Sequence, residues 1–199
     1  MDAIRTHTRP NHPLRHRVDR DRWVSIRPIE RADAAGLSDF YARLSAESMR
    51  RRFLSCGNQF RDDLGLRFTE HDGEGFVGIL YEPGANDGTV VAHGSVQPDG
   101  SGGAEIAFAV ADELQGHGIG TALMEMIVLH ARRLGLRRLS AALFADNTRM
   151  RRLMRRGGCA IVSDAIDAGT EEMTISLGVP APPPMKGRRM LTSAVREAR

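Results

Sequence analysis

The sequence predicts one α+β (mixed α/β) domain, built on a central, mostly antiparallel sheet of about seven strands with helices flanking it. Three observations carry that reading. Short runs of alternating or continuous apolar residues recur along the chain, as strands require. Longer stretches repeat apolar residues at the spacing of a buried helix face. Several strand-like runs are joined by short Gly/Pro/Asn/Asp connections, which make antiparallel neighbours. A chain of 199 residues has room for one sizeable core with tails and little more.

Residues 1–22 are polar and basic, with His7, His12 and His16 but no apolar period, and read as a flexible arm. Pro13 breaks the helix that would set His12 and His16 on one face, so no metal site is expected there. Trp23-Val24-Ser25-Ile26-Arg27 alternates as a half-buried strand, and Pro28 ends it. Asp33 is placed to cap a helix carrying Leu37, Phe40, Tyr41 and Leu44. A second short helix covers Glu47 to Leu54, and the polar stretch 57–75 reads as a loop. Three strands follow, Phe76–Tyr81, Thr89–Val96 and Ala104–Val110, with turn chemistry at 83–88 and 98–103.

A glycine-rich turn, Gln115 to Gly120, opens a long helix to about Leu134. Its Ile119, Leu123, Met126, Ile127, His130 and Leu134 form one stripe, and Gly135 stops it. Arg138–Phe144 is a strand, Asn147–Arg156 a helix stopped by Gly157-Gly158, and Cys159–Ser163 with Met173–Leu177 a closing pair of strands. Pro180 and Pro182-Pro183-Pro184 then end the domain, which spans 23–178. Residues 179–199 read as a Pro-rich basic tail rather than a docking helix.

Composition narrows the function classes. No stretch approaches the roughly 20 apolar residues of a membrane span, and the N-terminus lacks the apolar segment of a secretory signal. Cys56 and Cys159 are the only cysteines, too few for a zinc ribbon, and a reducing, cytoplasmic setting is the default. Six Arg against three Asp give residues 1–22 a charge of +3, and 179–199 carries +4, so the high pI belongs to the ends. That weakens a nucleic-acid reading of the whole surface. Inside the domain, 132–156 holds nine Arg against Asp146, for +8, while 23–131 sums to −8. Lys186 is the only lysine; guanidinium suits bidentate phosphate contact, and a high-GC genome produces the same bias.

Chemistry concentrates at two places. The glycine turn follows a strand and opens a helix, so its amides point at whatever lies before the helix. Glycines at 116, 118 and 120 allow positive φ and close backbone approach, which suits a phosphate or pyrophosphate as well as a plain tight turn. A Walker loop is excluded, because Thr121-Ala122 follows Gly120. A dinucleotide fingerprint is excluded too, because the spacing is G-x-G-x-G and residues 137–143 carry no acid. The second place is Glu105, which shares a strand face with Ala107 and Ala109. A carboxylate beside two alanines makes an acidic trough, or is simply solvent-exposed.

Gln115-Gly116-His117-Gly118-Ile119-Gly120 resembles the Q/R-x-x-G-x-G/A acetyl-CoA loop of the GNAT superfamily of N-acetyltransferases. The order of elements from Trp23 to about Leu177 is similar as well. Ile26-Arg27-Pro28-Ile29, Asp33, Leu44-Ser45-Ala46-Glu47-Ser48 and Arg52-Phe53 look like the bacterial protein-lysine acetyltransferase branch, which also carries a glutamate at the place of Glu105. The resemblance implies acetyl-CoA as co-substrate, and no metal, in a cleft where the fourth and fifth predicted strands splay apart. Gln115, Gly116, His117, Gly118, Ile119, Gly120 and Thr121 would form its diphosphate loop. Backbone groups at Phe108, Ala109 and Val110 would meet the pantetheine arm, and the amide near Val110 would polarise the thioester carbonyl. Asn147, otherwise a helix N-cap, and Met150 would stand beside that arm. The 132–156 block would face the 3′-phosphate, or be a solvated face.

The reaction so implied is direct attack of an amine on the thioester. Glu105 would take the amine's proton, directly or through water, best with its pKa raised by burial. Met154 stands where many of these enzymes have a tyrosine that protonates the thiolate, which leaves the acid unassigned. Cys159 replaces an aromatic and reads as a packing residue. The favoured acceptor is a protein lysine. A small amine is the alternative within enzymes, and a non-catalytic acyl-CoA sensor the alternative outside them. A nucleic-acid binder working through the arginine tails is a third reading, with steep salt dependence as its signature.

Overall fold

The computed structural model describes residues 13–54, 64–70, 74–84, 87–156, 160–167 and 169–178. Its strands are β1 Leu14–Arg17, β2 Trp23–Pro28, β3 Glu74–Tyr81, β4 Thr89–Pro98, β5 Gly103–Val110, β6 Arg138–Phe144, β7 Ala160–Asp167 and β8 Thr170–Ser176. Its helices are α1 Ala34–Arg43, α2 Ala46–Phe53, α3 Leu64–Glu70, α4 Ile119–Arg133 and α5 Thr148–Arg156. The strands form one sheet in the order β1-β2-β3-β4-β5-β6-β8-β7. Every neighbouring pair is antiparallel except β5 and β6, which run parallel. That connection needs a crossover, and α4 supplies it.

The parallel pair opens like a wedge. β5 and β6 are in register only over Gly103–Glu105 against Arg138–Ser140. The closed end is pinned by Arg138, whose Nη2 donates to Asp99 Oδ2 at 2.7 Å, and by Arg137 N–H, which donates to Gly102 O at 2.8 Å. The open end is bridged on one face by α2. The Arg50 guanidinium lies 4.1 Å over the Phe144 ring, and Arg51 reaches Asp146 at 3.4 Å.

Two layers cover the sheet. α4 packs its stripe on one face: Leu123 and Ile127 are fully buried, and Phe76 of β3 meets His130 edge-on at 5.4 Å between centroids. α5 continues that layer and buries Met154 completely. α1 and α3 cover the other face, where Tyr41, Phe68 and His93 pack together. Each large apolar side chain so enclosed contributes about 1.5–3 kcal/mol.

The structure corrects several expectations. Residues 1–22 are not all arm: Leu14–Arg17 is an edge strand paired with Trp23–Ile26. With Leu14 the only apolar side chain of four, it shows too little pattern to read. The stretch 57–75 is not all loop, because α3 packs on α1 and places Phe68 beside Tyr41. Asp33 sits at the N-cap position of α1 but does not cap it. Its buried carboxylate instead accepts from Arg27 Nη1 and Nη2 at 2.8 and 2.6 Å and from Glu30 N–H at 2.7 Å. The closing strands are longer than predicted, and the sheet has eight strands rather than seven. Cys56, Cys159 and 179–199 lie outside the described residues.

Candidate active site

Backbone alternation decides what the wedge offers. Ala111 N–H donates to Val91 O at 2.8 Å, so every second residue back along β5 spends its groups on β4. Glu105, Ala107 and Ala109 are those residues, in register with Gln97, Ser95 and His93. Phe108 and Val110 turn their backbone toward β6, which has already diverged. The edge of β5 that faces the gap is therefore that of Phe108 and Val110. Ala109 is corrected, because its amide and carbonyl belong to the β4 ladder.

The mouth of α4 lies at the end of this gap. Gly116 and Gly118 have φ of 88° and 84°, values that favour glycine. Gly120 does not share that conformation; it is the second residue of the helix. Gly118 is the N-cap and has no side chain to offer. The first helical bond runs from Ala122 N–H to Gly118 O at 3.1 Å. The amides of Ile119, Gly120 and Thr121 thus have no helical acceptor, and the helix dipole adds positive potential. Unpaired amides in positive potential suit an anion such as a diphosphate.

Gln115 ties the loop to both flanks. Its Nε2 donates to Val110 O at 3.2 Å and Ser48 Oγ at 3.1 Å, and its Oε1 accepts from Arg149 Nη1 at 2.6 Å. Asp112 holds the start of α2: it accepts from Ser45 N–H and Oγ, both at 2.9 Å, and from Ser48 Oγ at 2.6 Å. Partial burial works to raise the Asp112 carboxyl, yet the Ser45 and Ser48 donors hold it below the ordinary range.

Glu105 stands exposed at the last paired position of β5, opposite Ser140. It is not in the buried setting the sequence reading wanted. The trough beside it is narrower than expected, because Ala109 is buried and only Glu105 and Ala107 are accessible. Arg52 borders it, its Nη2 donating to Ser95 Oγ at 2.9 Å beside Ala107. Beneath, Tyr41 Oη and His93 Nδ1 share a hydrogen bond of 2.7 Å. Burial holds the His93 imidazole well below its ordinary range and raises the Tyr41 phenol.

On the far side, Asn147 caps α5, its Oδ1 accepting from Met150 N–H at 3.1 Å. Any cofactor contact by Asn147 thus falls to its Nδ2. Met150 is half-buried against the core. Met154 faces the core rather than the wedge. The basic block is partly spent on the protein itself: Arg138 binds Asp99, Arg149 binds Gln115, and Arg151 pairs with the buried Glu171. Sequence reasoning missed Asp112, Ser48, Arg149 and His16 as neighbours of the loop. Only Ser45 at a helix start left a local signal, as an N-cap.

The geometry matches known proteins. The family model described as "Acetyltransferase (GNAT) family" matches residues 38–158. Acetyltransferase Pat of Mycolicibacterium smegmatis is 29% identical over 165 residues, which cover 82% of this chain and 49% of that protein. The chain thus spans about half the length of that curated relative. The GNAT domain of S. lividans PAT superposes with a TM-score of 0.66 at 28% identity, over 77% of this chain and 90% of that one. The structure of yncA from Salmonella typhimurium, solved with its cofactor acetyl-CoA, shares the fold at a TM-score of 0.57 and 19% identity, over 79% and 98% of the two chains. With the wedge, the loop and the family match in agreement, this chain belongs to the GNAT family of acetyltransferases, enzymes of the acyltransferase class.

Proposed function

We propose that the chain transfers an acetyl group from acetyl-CoA to a lysine side chain of a protein, by direct attack and without a covalent enzyme intermediate. One observation supports the reading: the gap between β5 and β6 begins beyond Glu105, leaves the Phe108 and Val110 edge without a partner strand, and is followed by the helix whose Ile119, Gly120 and Thr121 amides lack helical acceptors. The loop amides hold the diphosphate. Phe108 and Val110 bond the pantetheine arm as a strand would, which fixes the thioester in the wedge. The Val110 N–H polarises its carbonyl.

A lysine amine starts protonated, with a pKa of about 10.4. Glu105 takes that proton, the amine nitrogen bonds to the thioester carbon and gives up a second proton to water, and the C–S bond breaks to release a thiolate. A free thiol has a pKa of about 8.5, so the thiolate leaves without a dedicated acid; water protonates it, since Met154 is buried and has no proton to give. A protein acceptor is supported by the branch-like Leu44–Phe53 segment and by the likeness to Pat proteins. Among the described residues no helix is long and apolar enough to cross a membrane.

Release of thiol from acetyl-CoA, measured against lysine-containing proteins and small amines, tests the reading. Glu105→Gln lowers transfer by about 10²-fold or more, the size of a general-base contribution, and leaves CoA affinity in place. Tight CoA binding with no release to any acceptor makes the chain a sensor instead. Release with small amines alone moves the acceptor to that class.

A further inference from the structure

We propose that the N-terminal edge strand β1 and its turn into β2 are part of the coenzyme site, and that they form a subsite for the phosphate monoester on the ribose of CoA. The inference rests on the acetyl-CoA reading above.

β1 pairs with β2 from Leu14↔Ile26 to Arg17↔Trp23, and strand alternation sends Leu14 and His16 to the α4 face. The half-buried His16 ring lies against Gly118. Its Nε2 is 2.7 Å from the carbonyl oxygen of His117. A carbonyl only accepts, so Nε2 carries the hydrogen and the Nδ1 edge is left for another partner. An element outside the glycine loop therefore forms a wall at the mouth of α4.

His16 also lines a second space. A cavity of about 290 Å³ is bounded by Arg15, His16, Arg17, Arg20, Arg22 and Trp23, with Asp21 as its acid. The turn that shapes it is fixed. Arg17 donates to the carbonyls of Asp19 and Arg20 at 2.9 and 2.7 Å, and Arg22 pairs with Asp19 at 2.6 Å. On the face of β1 opposite His16, the Arg15 guanidinium lies over the Trp23 ring, 4.5 Å from its centroid, and Trp23 stacks on Tyr81 at 4.4 Å. A stacked guanidinium is held in orientation, which favours bidentate binding of a phosphate. Arg20, exposed in the turn, forms no ion pair among the described residues.

With Arg22 neutralised by Asp19, the guanidiniums of Arg15, Arg17 and Arg20 stand against the Asp21 carboxylate, an excess of positive charge that suits a dianion. The ribose phosphate of CoA is one sugar from its diphosphate, and the proposed subsite places it on the side of the α4 mouth that His16 occupies. In the alternative wall, the 132–156 block, Arg138, Arg149 and Arg151 are engaged with Asp99, Gln115 and Glu171, while Arg152 and Arg156 stay exposed.

Calorimetric titration of the full chain with CoA and with 3′-dephospho-CoA tests this. Wild type is expected to bind CoA at least about tenfold tighter, the scale of one charge-assisted contact. The Arg15→Gln/Arg20→Gln variant, checked for an unchanged circular dichroism spectrum, is expected to lose that preference while its affinity for 3′-dephospho-CoA stays. His16→Gln is expected to weaken both ligands equally. If the double variant keeps the preference, or Arg149→Gln abolishes it, the subsite lies elsewhere and the proposal is overturned. If wild type binds both ligands equally well, the subsite alone fails and the acetyl-CoA reading stands. If wild type binds neither, the acetyl-CoA reading fails and this one goes with it.

Discussion

Replacing Gly118 by alanine probes how the coenzyme loop is assembled from two distant parts of the chain. At φ of 84° an L residue costs about 1–2 kcal/mol of backbone strain. Its Cβ would also lie 2.9 Å from Cε1 and 3.0 Å from Nε2 of His16. The ring must then swing away and give up its bond to His117 O, a further loss of about 0.5–1.5 kcal/mol. Gly118→Ala is thus expected to cost about 1.5–3.5 kcal/mol, the strain plus the lost bond. Gly116 is the internal control: its φ is 88°, and nothing lies within 4 Å of an added Cβ. Gly116→Ala should cost the strain alone, about 1–2 kcal/mol. In a His16→Ala background the Gly118→Ala penalty should fall to that of Gly116→Ala. Equilibrium urea unfolding resolves this, since about 1 kcal/mol moves the midpoint by roughly 0.3–1 M at the usual slopes. The reasoning is refuted if the Gly118→Ala penalty is the same with and without His16, for then β1 does not rest on the loop.

Other perturbations read the supports of the site. His93 is neutral in the fold because burial disfavours its charge. The unfolded chain takes up that proton below about pH 6.5, so stability falls as the pH drops through that value, by up to about 1.4 kcal/mol per pH unit. His93→Gln should flatten the decline, and parallel urea midpoints of the two proteins from pH 7 to 5 would show that His93 is charged in the fold. Glu171 is 2% exposed and paired with Arg151, so Arg151→Met takes a charge partner from a buried carboxylate, at a cost of up to about 3–5 kcal/mol. Adding Glu171→Gln should recover part of that in the same unfolding assay; no recovery means the arginine acts by packing alone. Asp112→Ala releases the Ser45 and Ser48 donors, and hydrogen exchange at residues 47–50 should accelerate. Protection as in wild type would mean that α2 is held elsewhere. Asn147→Ala removes the α5 cap for about 1 kcal/mol, and a neutral effect on thermal unfolding would show that water replaces it.

The helices and the central strands were legible because their signals are local. The α4 stripe from Ile119 to His130 is buried as its spacing requires. The hairpins around 83–88 and 98–103 follow from turn residues alone. β1 and α3 were not legible. Leu14–Arg17 becomes a strand because β2 offers an open edge, and Leu64–Glu70 becomes a helix because α1 offers a surface. Asp33 shows the same limit in a single residue: it has the type and place of a helix cap, yet Arg27, brought close by the fold, takes its carboxylate.

From sequence alone come the glycine loop at 115–120, the carboxylate at 105 and the order of elements, because each depends on residues near one another along the chain. Only the tertiary structure decides which edge of β5 is left without a partner strand. β6 leaves β5 after Ser140, so Phe108 and Val110 face a gap while Ala109, their neighbour, is consumed by β4. Pairing between strands is a long-range choice, and it likewise brings His16 to Gly118 across a separation of about a hundred residues. No local pattern encodes that meeting, since it exists only when the sheet and α4 are both in place.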